Sequence, residues 1–260
     1  MENDYLFKKW GIKSILMNNP LTYEYNSVRP SDLTSKDIIM IGRTNDRIKR
    51  FELGIKSMKI IIKEIPKCKM NIVGSSEIYY ETIIKNLNLD NYVNFTGFDT
   101  NIDKYLKTSS LHILTSFAES YSMVLSEAKI FGIPTILCGL DYLFLSKGRT
   151  ILIYADNPET IAKESIKILK NDKYRKKLGS EARKSIKQVR NNLIAKKWSK
   201  LLLSIYKGNN NYLKLDSKRN RNKMSQQEAQ IILNNQFKLW RNRLSILSYI
   251  TLEKLKSYFY

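Results

Sequence analysis

Two glutamates, Glu119 and Glu127, stand eight residues apart in the run Ser116-Phe117-Ala118-Glu119-Ser120-Tyr121-Ser122-Met123-Val124-Leu125-Ser126-Glu127-Ala128. The run follows the apolar stretch Leu111-His112-Ile113-Leu114 and reads as a strand end opening into a helix. At ~1.5 Å rise per residue the two carboxylates would lie about 12 Å apart if the segment were helical throughout. That separation resembles the distance from a sugar to a ribose across a diphosphate. Free N–H groups at a helix start, with serines beside them, suit phosphate oxygens. The carboxylates could then accept hydrogen bonds from sugar and ribose hydroxyls. Plainer readings compete: Ser116-x-x-Glu119 also spells a capping box, and Glu127 also fits a surface position on a helix.

A second cluster is Gly42-Arg43, followed by Arg47, Lys49 and Arg50. Glycine lets the chain turn and lets a ligand approach the backbone. Cations in the first turn of a helix oppose its dipole, at a cost of a few tenths of a kcal/mol each, about what a bound anion would offset. A solvated basic turn explains the same residues equally well. His112, the only histidine, sits inside an apolar run and reads as a core or strand-face residue.

The elements that must position these residues are short apolar runs alternating with helical stretches. The runs are at 38–41, 70–73, 92–95, 111–114, 134–137 and 150–153, and Gly42, Gly74, Gly97 and Gly139 lie at or near the ends of four of them. Ile48, Phe51, Ile55, Met58 and Ile62 recur at spacings of three and four, which predicts a helix over 47–62. Residues 77–88, 101–108, 121–131 and 158–170 read as further helices. Strands buried on both faces and joined by helices predict an α/β, Rossmann-like parallel sheet. In such sheets ligands bind beyond the carboxyl ends of the strands. The expected organisation is an irregular segment over 1–36, the Rossmann-like nucleotide-sugar domain over 37–172, and helices at 173–206 packed on it. A basic linker and a C-terminal helix then fill 207–260.

Composition narrows the partners. The chain has 260 residues, is 43% hydrophobic and carries a net charge of +21. Residues 166–260 hold 24 Lys and Arg against 5 Asp and Glu, so the excess lies in the C-terminal part. That favours an anionic partner. The abundance of Lys, Asn, Ile and Tyr throughout is also what a biased genome produces, and specific nucleic-acid binding is not the expectation. A basic helix with Trp240 and Tyr249 could instead lie on an anionic membrane. Cys68 and Cys138 have no CxxC spacing, which argues against a disulfide framework or zinc site. There is no signal-like start and no apolar run of ~18–20 residues, so a cytoplasmic location, or a peripheral one at a membrane surface, is expected.

Several pieces together resemble the C-terminal domain of retaining GT-B glycosyltransferases of family 4 (glycosyl transferases group 1). They are Gly42-Arg43 with Lys49-Arg50, Glu119-x7-Glu127-Ala128, Gly132-Ile133-Pro134-Thr135, Tyr92 to Phe98, Asn157 to Ala162 and Leu178 to Arg183. The resemblance covers about residues 8–206. It implies that Arg43 and Lys49, after Gly42, hold the donor diphosphate. It implies that Glu119 is the catalytic glutamate touching donor-sugar hydroxyls, and that Glu127 binds the ribose. Ser120, Tyr121 and Ser122 would contact sugar and phosphate, with Gly97 and Phe98 near the base. The donor would be a UDP-sugar in preference to a GDP-sugar, with no metal and no further cofactor. The first 36 residues resemble only the end of the family's N-terminal domain, which implies that the acceptor half is missing and that a separate chain would supply it. A non-catalytic sugar-nucleotide-binding fragment, a basic nucleic-acid or membrane adaptor and a GT-B epimerase are the competing readings.

Overall fold

A computed structural model describes residues 15, 17–119, 121–138, 151–153 and 157–207. Ser120, the run at Tyr5–Ile12, Gly139, Thr150, all but the first residue of the basic linker, and the helix expected at 225–259 lie outside the described residues. The chain divides into two units, Met17–Lys200 and a second made of Met1–Leu16 with Leu201–Tyr260. The sheet and its covering helices belong to the first unit.

Among the described residues, six strands form one sheet: β1 (Ile38–Ile41), β2 (Met70–Val73), β3 (Val93–Phe95), β4 (Leu111–Leu114), β5 (Thr135–Cys138) and β6 (Ile151–Ile153). Their order is β3-β2-β1-β4-β5-β6, and every pairing is parallel. This is the doubly wound order, in which the winding direction reverses between β1 and β4 and leaves a crevice at their carboxyl ends. The helices are α1 (Phe51–Glu64), α2 (Ile78–Asn86), α3 (Asp103–Thr108), α4 (Met123–Ile130), α5 (Pro158–Lys170), α6 (Asp172–Ser185) and α7 (Asn191–Tyr206).

Alternation along the strands divides the core in two. Ile38, Met40, Met70, Ile72, Leu111 and Ile113 face the side covered by α1, α2 and α5. Ile39, Val73, Leu114 and Leu137 face the other side, against Leu106 of α3, Leu125 and Ala128 of α4, and the apolar residues of the N-terminal segment. With side chains at period two and both faces covered, the central strands β4 and β5 are buried at every position, while β3, at the edge, exposes Asn94. His112 therefore lies fully buried within β4, with Nδ1 3.2 Å from the Thr135 hydroxyl. Burial lowers its pKa to about 3, so the ring is neutral.

The expected helix over 47–62 is broken. Arg47–Lys49 form a 3-10 turn capped by Asp46, whose carboxylate accepts from the Ile48 amide at 3.1 Å. Arg50 then adopts φ 49°, ψ 46° before α1 begins at Phe51. One left-handed residue redirects the chain, so the basic cluster sits on a turn ahead of the helix.

Residues 17–37 are irregular, yet they are tied down as a strap over α4 and α6. Asn191 accepts from the Leu21 amide at 2.6 Å and donates to the Leu21 carbonyl at 3.1 Å. Arg183 donates to the carbonyls of Tyr25 (2.9 Å), Val28 (2.8 Å) and Ile130. Arg175 is fully buried and donates to Leu33 O at 3.1 and 2.8 Å, to Leu169 O at 2.7 Å and to Asp172 at 2.8 Å. Removing its fork leaves buried carbonyls without donors, at ~1–3 kcal/mol each. Arg175→Leu should thus lower unfolding stability by about 2–4 kcal/mol in urea titration, and Arg175→Lys should not restore it, because a point charge cannot reach both Leu33 and Leu169. Gly179 of α6 is a second constraint, since an added Cβ would collide with the Gly132 carbonyl at the end of α4.

Candidate functional site

Two loops meet at the crevice between β1 and β4. The first runs from Gly42 to Arg50, after β1, and the second from Thr115 to Ser122, after β4. Their backbones are tied together: the Phe117 amide donates to Ile48 O at 2.7 Å, the Thr115 hydroxyl to Lys49 O at 2.6 Å, and Arg50 Nε to Thr115 O at 2.9 Å. Arg50 also lies over the Phe117 ring, 5.5 Å from its centroid. Sequence alone does not separate Arg50 from its neighbours; the structure gives it a supporting role, with its guanidinium turned into the second loop. Arg47 is likewise engaged, 4.1 Å over Tyr79.

Lys49 crosses the gap. Its Nζ is 2.6 Å from Glu119 Oε1, with only 20% and 12% of the two side chains exposed. The pairing joins the two residues for which the resemblance implies contact with diphosphate and sugar. It also removes the capping-box reading, because α4 begins at Met123 and its cap is Ser122, whose hydroxyl accepts from the Leu125 amide at 3.4 Å. Ser122 has φ 63°, a conformation costing of order 1–3 kcal/mol for a residue with a side chain. The helix is therefore shorter than the expected 121–131, and a helical rise does not set the spacing of Glu119 from Glu127. Arg43 extends into solvent, 82% exposed and 3.5 Å from Asp46.

Glu127 is not on the surface. It is 8% exposed on the second turn of α4 and accepts from the Thr22 hydroxyl at 2.6 Å. Burial raises its pKa, and the Thr22 hydrogen bond draws it back down. Nearby, burial first and then the charges of Glu127 and Asp103 push the Tyr23 phenol up to about 12. The Tyr121 hydroxyl is buried without a hydrogen-bond partner among the described residues, and burial raises it to about 12 as well.

Gly97 and Phe98 follow β3, two strands from β1 at the same sheet edge. Gly97 has φ 79°, and Phe98 is 86% exposed. Gly74, after β2, lets the loops after β1 and β2 touch: an added Cβ would come within 2.5 Å of Gly42 O. Thr44 fastens the same junction by donating to Ser75 O at 2.7 Å. No cluster of three or more His, Cys, Asp or Glu suited to a metal occurs among the described residues. Nor is any helix among them long and apolar enough to cross a membrane. A groove of about 410 Å³ lined by Tyr25, Leu33, Gly132, Lys176 and Ser180 lies at the opposite, amino edge of the sheet and takes no part in this site.

The family profile described as Glycosyl transferases group 1 matches residues 24–185. The chain belongs to this family. An N-acetyl-alpha-D-glucosaminyl L-malate synthase of Bacillus anthracis is 25% identical over 186 residues, which are 69% of this chain and 49% of that protein. The chain thus spans about half the length of that curated relative, and less of the others it matches. Among solved structures, a mutant of S. aureus TarM, in complex with Fondaparinux, alpha-GlcNAc-glycerol and UDP, aligns with TM-score 0.67 at 23% identity, covering 77% of this chain and 42% of that chain. Anabaena HepE in complex with UDP-glucose aligns with TM-score 0.65 at 17% identity, covering 73% of this chain and 57% of HepE. These likenesses show a fold shared with GT-B glycosyltransferases. As a member of the glycosyl transferases group 1 family the chain is grouped with transferases, and its α/β sheet is the Rossmann-like one expected of it.

Proposed function

We propose that this group 1 chain is the donor-binding half of a retaining, family 4 glycosyltransferase, which takes its sugar from a UDP-sugar or, as the alternative, a GDP-sugar. The observation that carries the reading is the Lys49–Glu119 pair at 2.6 Å, because it joins the two loops at the crevice where such sheets bind nucleotides. Relatives and structural neighbours support it: TarM and HepE were crystallised with UDP or a UDP-sugar.

In this reading Lys49 and Arg43 meet the diphosphate, and Lys49 leaves Glu119 when the donor enters. The chemistry breaks the bond between the anomeric carbon and the diphosphate oxygen, which keeps the electron pair. A bond forms from that carbon to the acceptor oxygen, whose proton passes to the diphosphate or to solvent. Negative charge therefore grows on the leaving group. A positioned cation in a partly desolvated crevice stabilises that charge, and the helix start at Met123 adds N–H groups. Glu119 turns to the sugar hydroxyls and Glu127 to the ribose. Ser120, Tyr121 and Ser122 contact sugar and phosphate in this reading, while Gly97 and Phe98 stand on the side of the base. Neither a metal nor a further cofactor is needed, since the cations and amides carry the charge stabilisation. The acceptor-binding domain is supplied either by further residues of the same protein or by a partner chain.

The test is transfer itself. The chain would be incubated with UDP-glucose, UDP-N-acetylglucosamine and GDP-mannose beside a GT-B acceptor domain, following nucleoside diphosphate release and product anomer by NMR. The expected result is release with one donor class and an α-linked product from an α-linked donor. A β-linked product would refute retention. Release that persists undiminished in Glu119→Gln would refute the site.

A further inference from the structure

We propose that Thr22 is a positioning residue for Glu127, so that the N-terminal strap sets how firmly the site grips the donor ribose. The inference rests on the reading of Glu127 as the ribose ligand. Its observations are separate from that reading, because they concern the strap.

Glu127 is nearly buried, and a carboxylate taken from water needs hydrogen-bond donors to hold its charge. Among the described residues, Thr22 is its side-chain hydrogen-bond donor, at 2.6 Å to Oε1. A carboxylate offers two oxygens and about four lone-pair sites. One bond to Oε1 fixes the rotamer and leaves Oε2 and the remaining lone pairs for a pair of vicinal hydroxyls. Without that bond the carboxylate can rotate about its terminal torsion, which has a broad energy profile.

Thr22 can do this because it is held on both sides. Leu21 is buried, and both its backbone polar groups bond to Asn191. The Tyr23 ring packs edge-on against Phe131, with centroids 5.2 Å apart. Asn191 also donates to Glu24 at 2.8 Å, and Arg183 holds the carbonyls of Tyr25 and Val28. The hydroxyl is thus presented by a segment anchored to the start of α7 and to α6, and any movement of those anchors reaches Glu127 through a single bond.

The experiment uses the full chain with Thr22→Val, Thr22→Ser and Glu127→Ala, and measures dissociation constants for UDP and for its 2′-deoxy and 3′-deoxy analogues, or the GDP set where GDP is the nucleotide bound. The readout is the ratio of deoxy to parent constant. That ratio is insensitive to partial unfolding, since both ligands meet the same folded fraction. Wild type should discriminate about tenfold against at least one analogue, a difference of ~1.4 kcal/mol. Thr22→Val should bring the ratio near that of Glu127→Ala, and Thr22→Ser should restore it. A Thr22→Val ratio equal to wild type overturns the role of Thr22 while leaving Glu127 in place. A wild-type ratio of one, or no nucleotide bound, overturns the ribose reading and this inference with it.

Discussion

Lys49→Ala should cut sugar transfer by about 10²–10³ in kcat, the loss expected when one charge-stabilising group is removed from a developing oxyanion. The reason is position. Lys49 Nζ already lies at the crevice, 2.6 Å from Glu119 and only 20% exposed, so it acts where water screens weakly. Charge on the diphosphate is greater in the transition state than in the bound donor, so kcat should fall by a larger factor than KM rises. Glu119→Gln should also be severely impaired, and the double variant should lose less than the product of the two single losses, because the residues act as one unit. Arg43→Ala should cost less, since its guanidinium is mostly in solvent. Steady-state nucleotide release in the presence of an acceptor domain checks all four. A KM effect alone for Lys49→Ala would reduce its role to ground-state binding.

The second large effect is on stability and arises from His112. Folding holds its pKa at about 3, against an unfolded value near 6.5. The depressed pKa means that the unfolded chain binds the proton more readily, so stability falls as pH drops below 6.5 and is unaffected by this group above it. The loss is about 1.4 kcal/mol per pH unit, or about 2.7 kcal/mol by pH 4.5. His112→Leu removes this dependence. Carboxyls such as buried Glu127 and the half-buried Asp37 and Glu52, whose pKa values burial raises, act in the opposite sense in both proteins and cancel in the comparison. Urea unfolding at pH 7.5, 6.5, 5.5 and 4.5 should show wild type losing stability relative to His112→Leu at each step below 6.5. Parallel curves would show that the imidazole takes up its proton without unfolding the chain.

Much of the scaffold can be read in the sequence, because strands covered on both faces are apolar at most positions. The runs Ile38–Ile41, Met70–Val73 and Leu111–Leu114 carry that signature, apart from Asn71 and His112, and all three are strands. The breaks are less legible. Nothing in Arg47-Ile48-Lys49-Arg50 announces a left-handed Arg50, since the apolar period runs through it unbroken. The start of α4 is hidden for a similar reason: Ser116-x-x-Glu119 satisfies a local rule, yet Glu119 pairs with Lys49, 70 residues away, and Ser122 caps the helix.

Within the site, Lys49 and Glu119 are legible as charges near strand ends, and their mutual contact emerges only from the fold. Glu127 looks like a surface residue in one dimension because its cover comes from Thr22, 105 residues distant. The strap is equally opaque. Residues 17–37 lack periodicity, and their order comes from Asn191, Arg175 and Arg183, whose bonds go to backbone carbonyls and leave no pattern in side-chain types.

If the loops after β1 and β4 together hold a nucleoside diphosphate, both must contribute to its affinity. Titration calorimetry of UDP, with GDP beside it, into wild type, Lys49→Ala and Glu127→Ala tests this most directly. The wild-type chain should bind one nucleotide saturably, and each substitution should weaken that binding at least tenfold, or ~1.4 kcal/mol. Binding unchanged by both substitutions, or no binding of either nucleotide, would contradict a donor site at this crevice.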